Sequence, residues 1–538
     1  MESVRSDRIE EAAKKQAQKS GLPYFNLKTF PIDPAAVFTV NETDAHAGSL
    51  VVISKKGKNL GVAVLDPDRE PTKKILKQLE KDGFICKIVV ASETGLAAGW
   101  KKYALKKDTQ SNDLGVFQIT GTELASMQDQ IKDVAGLKDK LASLPLTKVL
   151  NILIAGALKV KASDIHFEPA EKDIRLRYRL DGVLYDIVNF PTADYKQLLS
   201  RIKLMSGLKI NIHESPQDGR FTIRQGESDI EVRVSILPGA YGENIVMRIL
   251  DPSAIKQKLE DLGMRPDVLE TVKRLLEKTT GAVLTTGPTG SGKTTTLYAF
   301  IKHINNPEIK IITVEDPIEY HITGISQTQV DVEAGYTFAG GLRSIVRQDP
   351  DAILVGEIRD GETAEIAMQA ALTGHLVFST LHTNDAAGAI PRLIDLGVKP
   401  VTIAPAVNVI MAQRLVRKLC PDCKKKSKIK AEDLELAKKL IGGLSEAVNP
   451  IKITENMEIY YPSKCAKCDS MGYKGRIGVY ELFEIDNDIE KLILKSPAIS
   501  EIRELAVQKG MLTLLQDGLL KVIQGVTSFE EVLRVIGE

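Results

Sequence analysis

The run Gly287-Pro288-Thr289-Gly290-Ser291-Gly292-Lys293-Thr294 constrains this chain more than any other segment. It fits G-x-x-x-x-G-K-[ST] and stands between an apolar stretch, AVLTT, and a helix-like one, TTTLYAFIKHI. Glycines at these spacings allow a loop whose backbone N–H groups converge on phosphate oxygens, and the helix that follows adds the positive end of its dipole. Strand, phosphate loop and helix are therefore expected in that order. Gly287 through Thr294, with Thr295, are the candidate nucleotide contacts; Lys293 is expected to reach the β- and γ-phosphates and the Thr294 hydroxyl to ligate Mg²⁺.

Further apolar runs, IKIITVED, AILVGEI and HLVFSTLH, alternate with helical segments, the pattern of a mostly parallel sheet covered on both faces. Such a sheet presents its strand C-termini on the side of the phosphate loop, so Glu357, after Ile353-Leu354-Val355-Gly356, can approach Mg²⁺ and its water shell. Glu315, Asp316 and Glu319 follow another strand that Pro317 stops. At least one is expected to orient or deprotonate the attacking water, and spacing does not say which. His382 ends a strand, where a phosphate contact and a capping or core role are both open. Arg343 and Arg347 share a helix face by their i, i+4 spacing, which suits phosphate contacts or a salt-bridged surface.

Cys420-Pro421-Asp422-Cys423 and Cys465-Ala466-Lys467-Cys468 supply two C-x-x-C knuckles, the donor set of a closed tetrahedral Zn²⁺ site with a structural role. A redox reading needs a thioredoxin-like unit, of which the sequence shows no sign. Cys86, ending the run FIC, reads as a buried small hydrophobe. The chain has 538 residues with 72 Lys+Arg against 71 Asp+Glu, so no global field draws it to nucleic acid. No window is apolar enough for a membrane span or signal peptide, and a cytoplasmic protein is expected.

Residues 1–105 read as a small α/β module with a polar helix over about 6–20, strand-like runs LVVISKKG, LGVAVLD and ICKIVVAS, and the helical TKKILKQLEKDG. A polar linker is expected over 106–140. Residues 141–250 open with a helix, TKVLNILIAGALKVKA, and continue in period-two strands, DIRLRYRLDGVLYDIV and RFTIRQGESDIEVRVSIL, with DG and GE at the turns. A connector over 251–262 leads to the nucleotide module.

Taken in order, SDIHFEP (163–169), RLRYRLDG (175–182), PQDGR (216–220), EVRVSILPGAYGENIVMRIL (231–250), GPTGSGKTTT, ITVEDPIEY, GLRSIVRQDPDAILVGEIRD, ALTGHLVFSTLHTN and the paired C-x-x-C resemble the bacterial type IV pilus-assembly and type II secretion ATPases. The resemblance runs from about residue 140 to the C-terminus. It implies an α/β chain with a RecA-like P-loop motor (263–415) preceded by a PAS-like α+β domain (141–250) and the N-terminal docking module. A tetracysteine zinc subdomain (416–475) is inserted after the motor sheet, before C-terminal helices (476–538). It implies a homohexamer hydrolysing ATP with Mg²⁺, the nucleotide lying between the PAS-like domain and the motor of one chain. The expected partners are an inner-membrane platform protein and membrane-associated assembly proteins, with no nucleic acid.

Carried over by motif, Lys293 and Thr294 fall in Walker A, Glu319 at the catalytic place of the acidic box, Glu357 in Walker B and His382 in the His box. Arg220 and Arg233 match the PAS-like-domain arginines that close over the phosphates, while Arg343, Arg347 and Arg476 match further basic sites near the nucleotide. The chain departs from the family in reading His213-Glu214-Ser215 before PQDGR, where basic residues are common. It also lacks the repeated front-module motifs by which some relatives bind cyclic di-GMP, so that ligand is not expected. Pilus-retraction relatives usually lack the zinc quartet and a long front module, and a ring DNA translocase would carry basic and aromatic tracking segments. A dead scaffold would lack acidic or phosphate-loop groups that are all present.

Overall fold

The computed structural model describes residues 2–27, 30, 32–104, 116–118, 146–225, 228–251, 257–444 and 453–537. It forms two compact units, Met1–Gln118 and Ile119–Glu538. The linker expected over 106–140 lies outside the described residues apart from 116–118, as do the GE turn at 226–227 and residues 252–256 of the connector.

In the first unit a polar helix, Glu2–Ser20, precedes β1 (Leu50–Lys56), β2 (Asn59–Val64) and β3 (Ile85–Val90). β1 and β2 pair antiparallel, whereas β2 and β3 are parallel and need the crossover helix Glu70–Lys81 between them. That helix starts with Pro71 in its first turn and buries Thr72, Leu76 and Leu79, one stripe at helical spacing. Cys86 packs half-buried against this core, where burial pushes its thiol pKa up. A short strand, β4 (Val116–Gln118), ends the unit.

The second unit begins with helix Leu146–Lys159 and the PAS-like sheet: β5 (Asp164–Pro169), β6 (Asp173–Leu180), β7 (Val183–Pro191), β8 (Gln217–Gln225), β9 (Ser228–Gly239) and β10 (Gly242–Leu250). These six strands pair antiparallel in the order β8-β9-β10-β5-β6-β7. The period-two alternation sends Ile165, Phe167, Leu176, Tyr178, Val232 and Val234 into the core, with the intervening residues on the other face. Asp181 and Gly182, both at positive φ, form the tight DG turn between β6 and β7. Helix Thr192–Met205 is pinned to β10 through buried Lys203, paired with Glu243 at 2.7 Å. His213 meets the same carboxylate at 2.6 Å, which anchors the loop that runs into PQDGR.

The RecA-like motor carries β11 (Gly281–Thr286), β12 (Ile311–Glu315), β13 (Ser326–Gln329), β14 (Ala352–Val355), β15 (Leu376–Leu381), β16 (Val407–Leu419) and β19 (Tyr473–Glu484) in one sheet, ordered β13-β12-β14-β15-β11-β16-β19. All its pairs are parallel except β16 with β19. Both faces are covered, one by a core around Leu284, Val314, Val355 and Val377, the other by one around Val283, Phe300, Leu354 and Phe378. Adjacent residues of one strand therefore enter opposite cores, which is why these strands read as unbroken apolar runs.

Because β16 pairs directly with β19, residues 420–472 are an excursion between neighbouring strands. It holds a hairpin, β17 (Lys425–Lys428) with β18 (Glu458–Tyr461), and helix Ala431–Ile441. The boundaries expected at 415/416 and 475/476 are corrected accordingly: both fall inside strands of the motor sheet, whose pairing continues past the change in composition. The excursion shares its core with the C-terminal helices, Ile429, Ala437 and Ile459 packing with Leu519, Val522 and Phe529. Those helices are pinned to the motor by buried Asp517, which accepts from Tyr480 N at 2.8 Å and pairs with Arg265 at 3.0 Å and Lys521 at 2.6 Å. Asp517→Ala leaves buried Lys521 without its partner and Arg265 with Asp267 alone, so a loss of about 3–5 kcal/mol is expected, read as a lower thermal midpoint. A midpoint equal to that of the parent chain would refute this role.

Candidate active site

Four loops converge at the C-terminal ends of β11, β12, β14 and β15, the crevice side of a parallel sheet. The phosphate loop leaves β11 with Gly287, Gly290 and Gly292 all at positive φ. Only glycine takes these conformations without strain, and a Cβ on Gly287 would also lie 2.6 Å from the Gln413 carbonyl. Lys293 and Thr294 open the helix Lys293–Ile304. Lys293 is almost buried, and its Nζ donates to the loop's own carbonyls, Gly287 O at 2.8 Å and Pro288 O at 3.1 Å. Burial lowers the pKa of its ammonium, Glu357 opposes that, and Arg414 adds to it.

Ser291 Oγ is buried with no hydrogen-bond partner, Gly290 has open space beside it, and Pro288 and Thr289 are exposed. An orphaned hydroxyl inside a loop of convergent N–H groups fits a triphosphate. Thr294 and Thr295 are half-buried in the first helical turn. Thr286 ties this loop to the one after β15, its Oγ1 accepting from Thr383 N at 2.8 Å.

Glu357 lies just beyond β14, largely buried, and pairs with Arg359 at 2.5 Å and His382 Nε2 at 2.9 Å. The structure thus brings Glu357, expected in Walker B, and His382 together, with the imidazole half exposed. This carboxylate, set beside the Thr294 hydroxyl's loop, suits the outer shell of Mg²⁺.

Of the three acidic candidates after β12, Glu315 is buried and occupied by Tyr298 OH, by Thr313 Oγ1 at 2.5 Å and by Gln327 Nε2 at 3.2 Å. Asp316 is exposed. Glu319 is half-buried; burial raises its carboxyl pKa, Arg233 and Arg248 pull it down, and Glu315 pushes it up. Arg233 donates from Nη2 to Ile318 O at 2.7 Å, so the PAS-like sheet reaches the acidic loop beside Glu319. Arg220 stands opposite Arg233 in the β8/β9 register and is exposed, with no ion pair among the described residues.

Arg343 pairs with Glu362 of the following helix, Arg347 donates to Ser344 Oγ at 3.3 Å, and Arg476 lies exposed on β19. None of the three bonds to the phosphate loop, Glu319, Glu357 or His382 among the described residues, so within one chain they are not brought to the site. Sequence reasoning missed Arg248 and also Gln413 and Arg414, which back the phosphate loop from β16. Arg248 lies inside the family-like run 231–250 but nothing there singles it out, and no motif marks Gln413 or Arg414; their signal is the strand register alone.

The four cysteine sulfurs all lie within 4.8 Å of one another, Cys420–Cys465 at 3.9 Å, Cys423–Cys468 at 3.8 Å and Cys465–Cys468 at 3.5 Å. A tetrahedron with Zn–S bonds of about 2.3 Å has edges near 3.8 Å, close to these three separations, so the set suits Zn²⁺. Gly472 N–H points at Cys468 Sγ, at 3.3 Å, an outer hydrogen bond of the kind that tunes thiolate ligands.

The fold and this crevice define a RecA-like P-loop ATPase whose PAS-like domain bonds Arg233 to its own motor. A family model described as Type II/IV secretion system protein matches residues 139–534. The type IV pilus assembly ATPase PilB of Myxococcus xanthus is 38% identical over 518 residues, covering 96% of this chain and 89% of that protein. The type II secretion system protein E of Klebsiella pneumoniae is 41% identical over 461 residues, 86% of this chain and 87% of its own. The solved structure of the Yersinia pseudotuberculosis ATPase DotB shares the fold, with TM-score 0.52 at 21% identity, covering 73% of this chain and 95% of that one. The chain belongs to the type II/IV secretion system protein family.

Proposed function

We propose that this chain is a hexameric, Mg²⁺-dependent ATPase that drives assembly of a type IV pilus or type II pseudopilus through an inner-membrane platform protein. The observation that carries this reading is the Arg233 bond to Ile318 O, which joins the PAS-like domain to the acidic loop over one nucleotide site. Lys293 and the loop amides bind the phosphates, Glu319 takes the proton of the attacking water, and His382 with Glu357 senses the γ-phosphate end. Thr294 and, through a water shell, Glu357 would hold Mg²⁺, which would supply charge neutralisation of the phosphates. Arg220 and Arg233 close from the second rigid body, so binding favours closure and loss of the γ-phosphate releases it. Closures taken in turn around a ring displace the membrane partner.

Among the described residues no helix is long and apolar enough to cross a membrane, which suits peripheral attachment through partners. The tetracysteine cluster and the long front module favour assembly over retraction. The N-terminal module serves docking, and the cysteines hold a structural Zn²⁺.

Arg220→Ala and Arg233→Ala are expected to lower kcat by about 10²-fold while nucleotide affinity changes by only about threefold, because their contacts form in the closed state. Phosphate release and equilibrium binding of a fluorescent ATP analogue measure the two. Parent-like turnover in both variants would remove the two-domain site, and failure of the platform protein to co-purify with the chain would remove the assembly role.

A further inference from the structure

One cross-strand row of the PAS-like sheet carries four arginines and one carboxylate. The register sets Arg220 opposite Arg233, Arg233 opposite Arg248, Arg248 opposite Asp164, and Asp164 opposite Arg179. Directly opposed residues share a face with Cβ atoms about 4.5–5.5 Å apart, where like charges repel. Asp164 is buried and answers two of the cations, Arg248 Nε at 2.9 Å and Arg179 Nε at 3.1 Å. Arg233 is engaged by Glu231 at 3.4 Å and by the Ile318 carbonyl. Arg220, Arg233 and Arg248 therefore stand side by side with too few carboxylates among them for pairing alone.

Sheet stability does not call for this crowding, since each like pair costs pairing energy. The row makes sense as a local field aimed at an anion. Arg233 is bonded to the loop that bears Glu319, and of the two members whose direction is set by buried Asp164, Arg179 and Arg248, it is Arg248 that stands beside Arg233. One guanidinium edge is taken by Asp164, and because the group is a rigid plane, fixing Nε fixes the other donors. Arg248 remains 54% exposed, so its charge is held but not neutralised by burial.

We propose that Arg248, oriented by Asp164, is a positioning residue for ATP hydrolysis that keeps the Glu319 carboxylate ionised beside Arg233. This deepens the site described above and rests on Glu319 being the base. The groups that act on Glu319 are Arg233 and Arg248 from the sheet, which oppose the effect of burial, and Glu315 from the end of β12, which adds to it. Tyr298 and Tyr320 also face it, and both phenols are pushed up in pKa by burial, so they stay neutral in the working range. A half-buried carboxylate with one cation fewer would hold its proton to higher pH and lose its competence as a base there.

The test is the pH dependence of kcat for the full-length chain with Mg²⁺ and ATP, in the parent, Glu319→Gln, Arg248→Ala and Arg248→Lys. Arg248→Ala should move the acid limb up by about one pH unit, the order of shift a nearby opposite charge produces, with KM for ATP within about threefold of the parent. Arg248→Lys, which restores the charge, should return most of the limb. An acid limb left in place by Arg248→Ala overturns the proposal and reduces Arg248 to a sheet-pairing residue, whatever happens to kcat. If Arg248→Ala does not fold, Arg248→Gln takes its place: a raised acid limb supports the proposal and an unmoved one overturns it. Parent-like turnover by Glu319→Gln is a different result: it removes Glu319 as the base, and the proposal falls with that reading wherever the acid limb lies in the Arg248 variants.

Discussion

Lys293→Ala is expected to lower ATP hydrolysis by about 10²–10³-fold, the loss typical for one charge-stabilising group. The Lys293 ammonium is nearly buried and, among the described residues, donates only to two carbonyls of its own loop, Gly287 O and Pro288 O. Phosphate oxygens are stronger acceptors than those carbonyls, so the amine exchanges partners when nucleotide enters. Removing it takes away binding and transition-state charge together, and both affinity and turnover should fall. Glu357→Gln separates the two. It keeps a side chain of the same size next to His382 and Arg359 but removes the charge, so ATP should still bind while turnover drops by a comparable factor. Omitting Mg²⁺ should abolish turnover in the parent. Phosphate release and analogue binding read these outcomes, with thermal midpoints confirming that both variants fold. Hydrolysis at the parent rate in both variants would make the site assignment wrong.

Loss of zinc is the second large effect. One Zn²⁺ per chain is expected by elemental analysis, and Cys420→Ser or Cys468→Ser should remove it. Structural Zn²⁺ contributes apparent free energies of about 10–16 kcal/mol in small zinc-finger peptides. Apart from the metal, the knuckles are tied by the exposed pair Lys467–Asp422 at 2.5 Å and by Cys420 N donating to Gly472 O at 2.9 Å, bonds much weaker than four Zn–S ligations. The consequence reaches past the knuckles, because Ile429, Ala437 and Ile459 share a core with Leu519, Val522 and Phe529. Hydrogen exchange should therefore speed up across residues 420–472 and in the helices after residue 512, while the parallel strands around the phosphate loop keep their protection. Folded protein without zinc and with four freely titratable thiols would sink the structural-metal assignment.

Several features are legible because their signals are local. The phosphate loop is eight consecutive residues, and β11, β12, β14 and β15 stand out because strands buried on both faces must be apolar throughout. The cysteine pairs are legible by the same logic, two ligands on each short turn. β13, by contrast, is Ser326–Gln329, four polar residues on the sheet edge, where no hydrophobic pattern is required. β16 is hidden for a different reason. Its first half pairs parallel with β11 and its second half pairs only with β19, across the whole cysteine excursion, so its pattern changes midway and its partner is not adjacent in sequence. That midway change is also why two expected domain boundaries fall inside strands.

The acidic loop shows the limit most clearly. Glu315, Asp316 and Glu319 are equivalent by spacing, and the family resemblance singles out Glu319. The physical ground for that choice is tertiary: Tyr298, Thr313 and Gln327 occupy Glu315, while an arginine from the other domain bonds next to Glu319. Arg248 lies within the family-like run 231–250, but nothing in MRIL by itself says that it stands beside Arg233.

By itself the sequence determined a nucleotide-binding α/β chain with a four-thiolate metal set, because those groups lie a few residues apart and their chemistry follows from short-range spacing. Only the tertiary structure decided which carboxylate faces which arginine. Antiparallel register brings residue 164 to 248 and residue 233 to 248, and domain packing brings residue 233 to 318. Pairings across such distances are set by the packing of whole sheets, which no local period encodes.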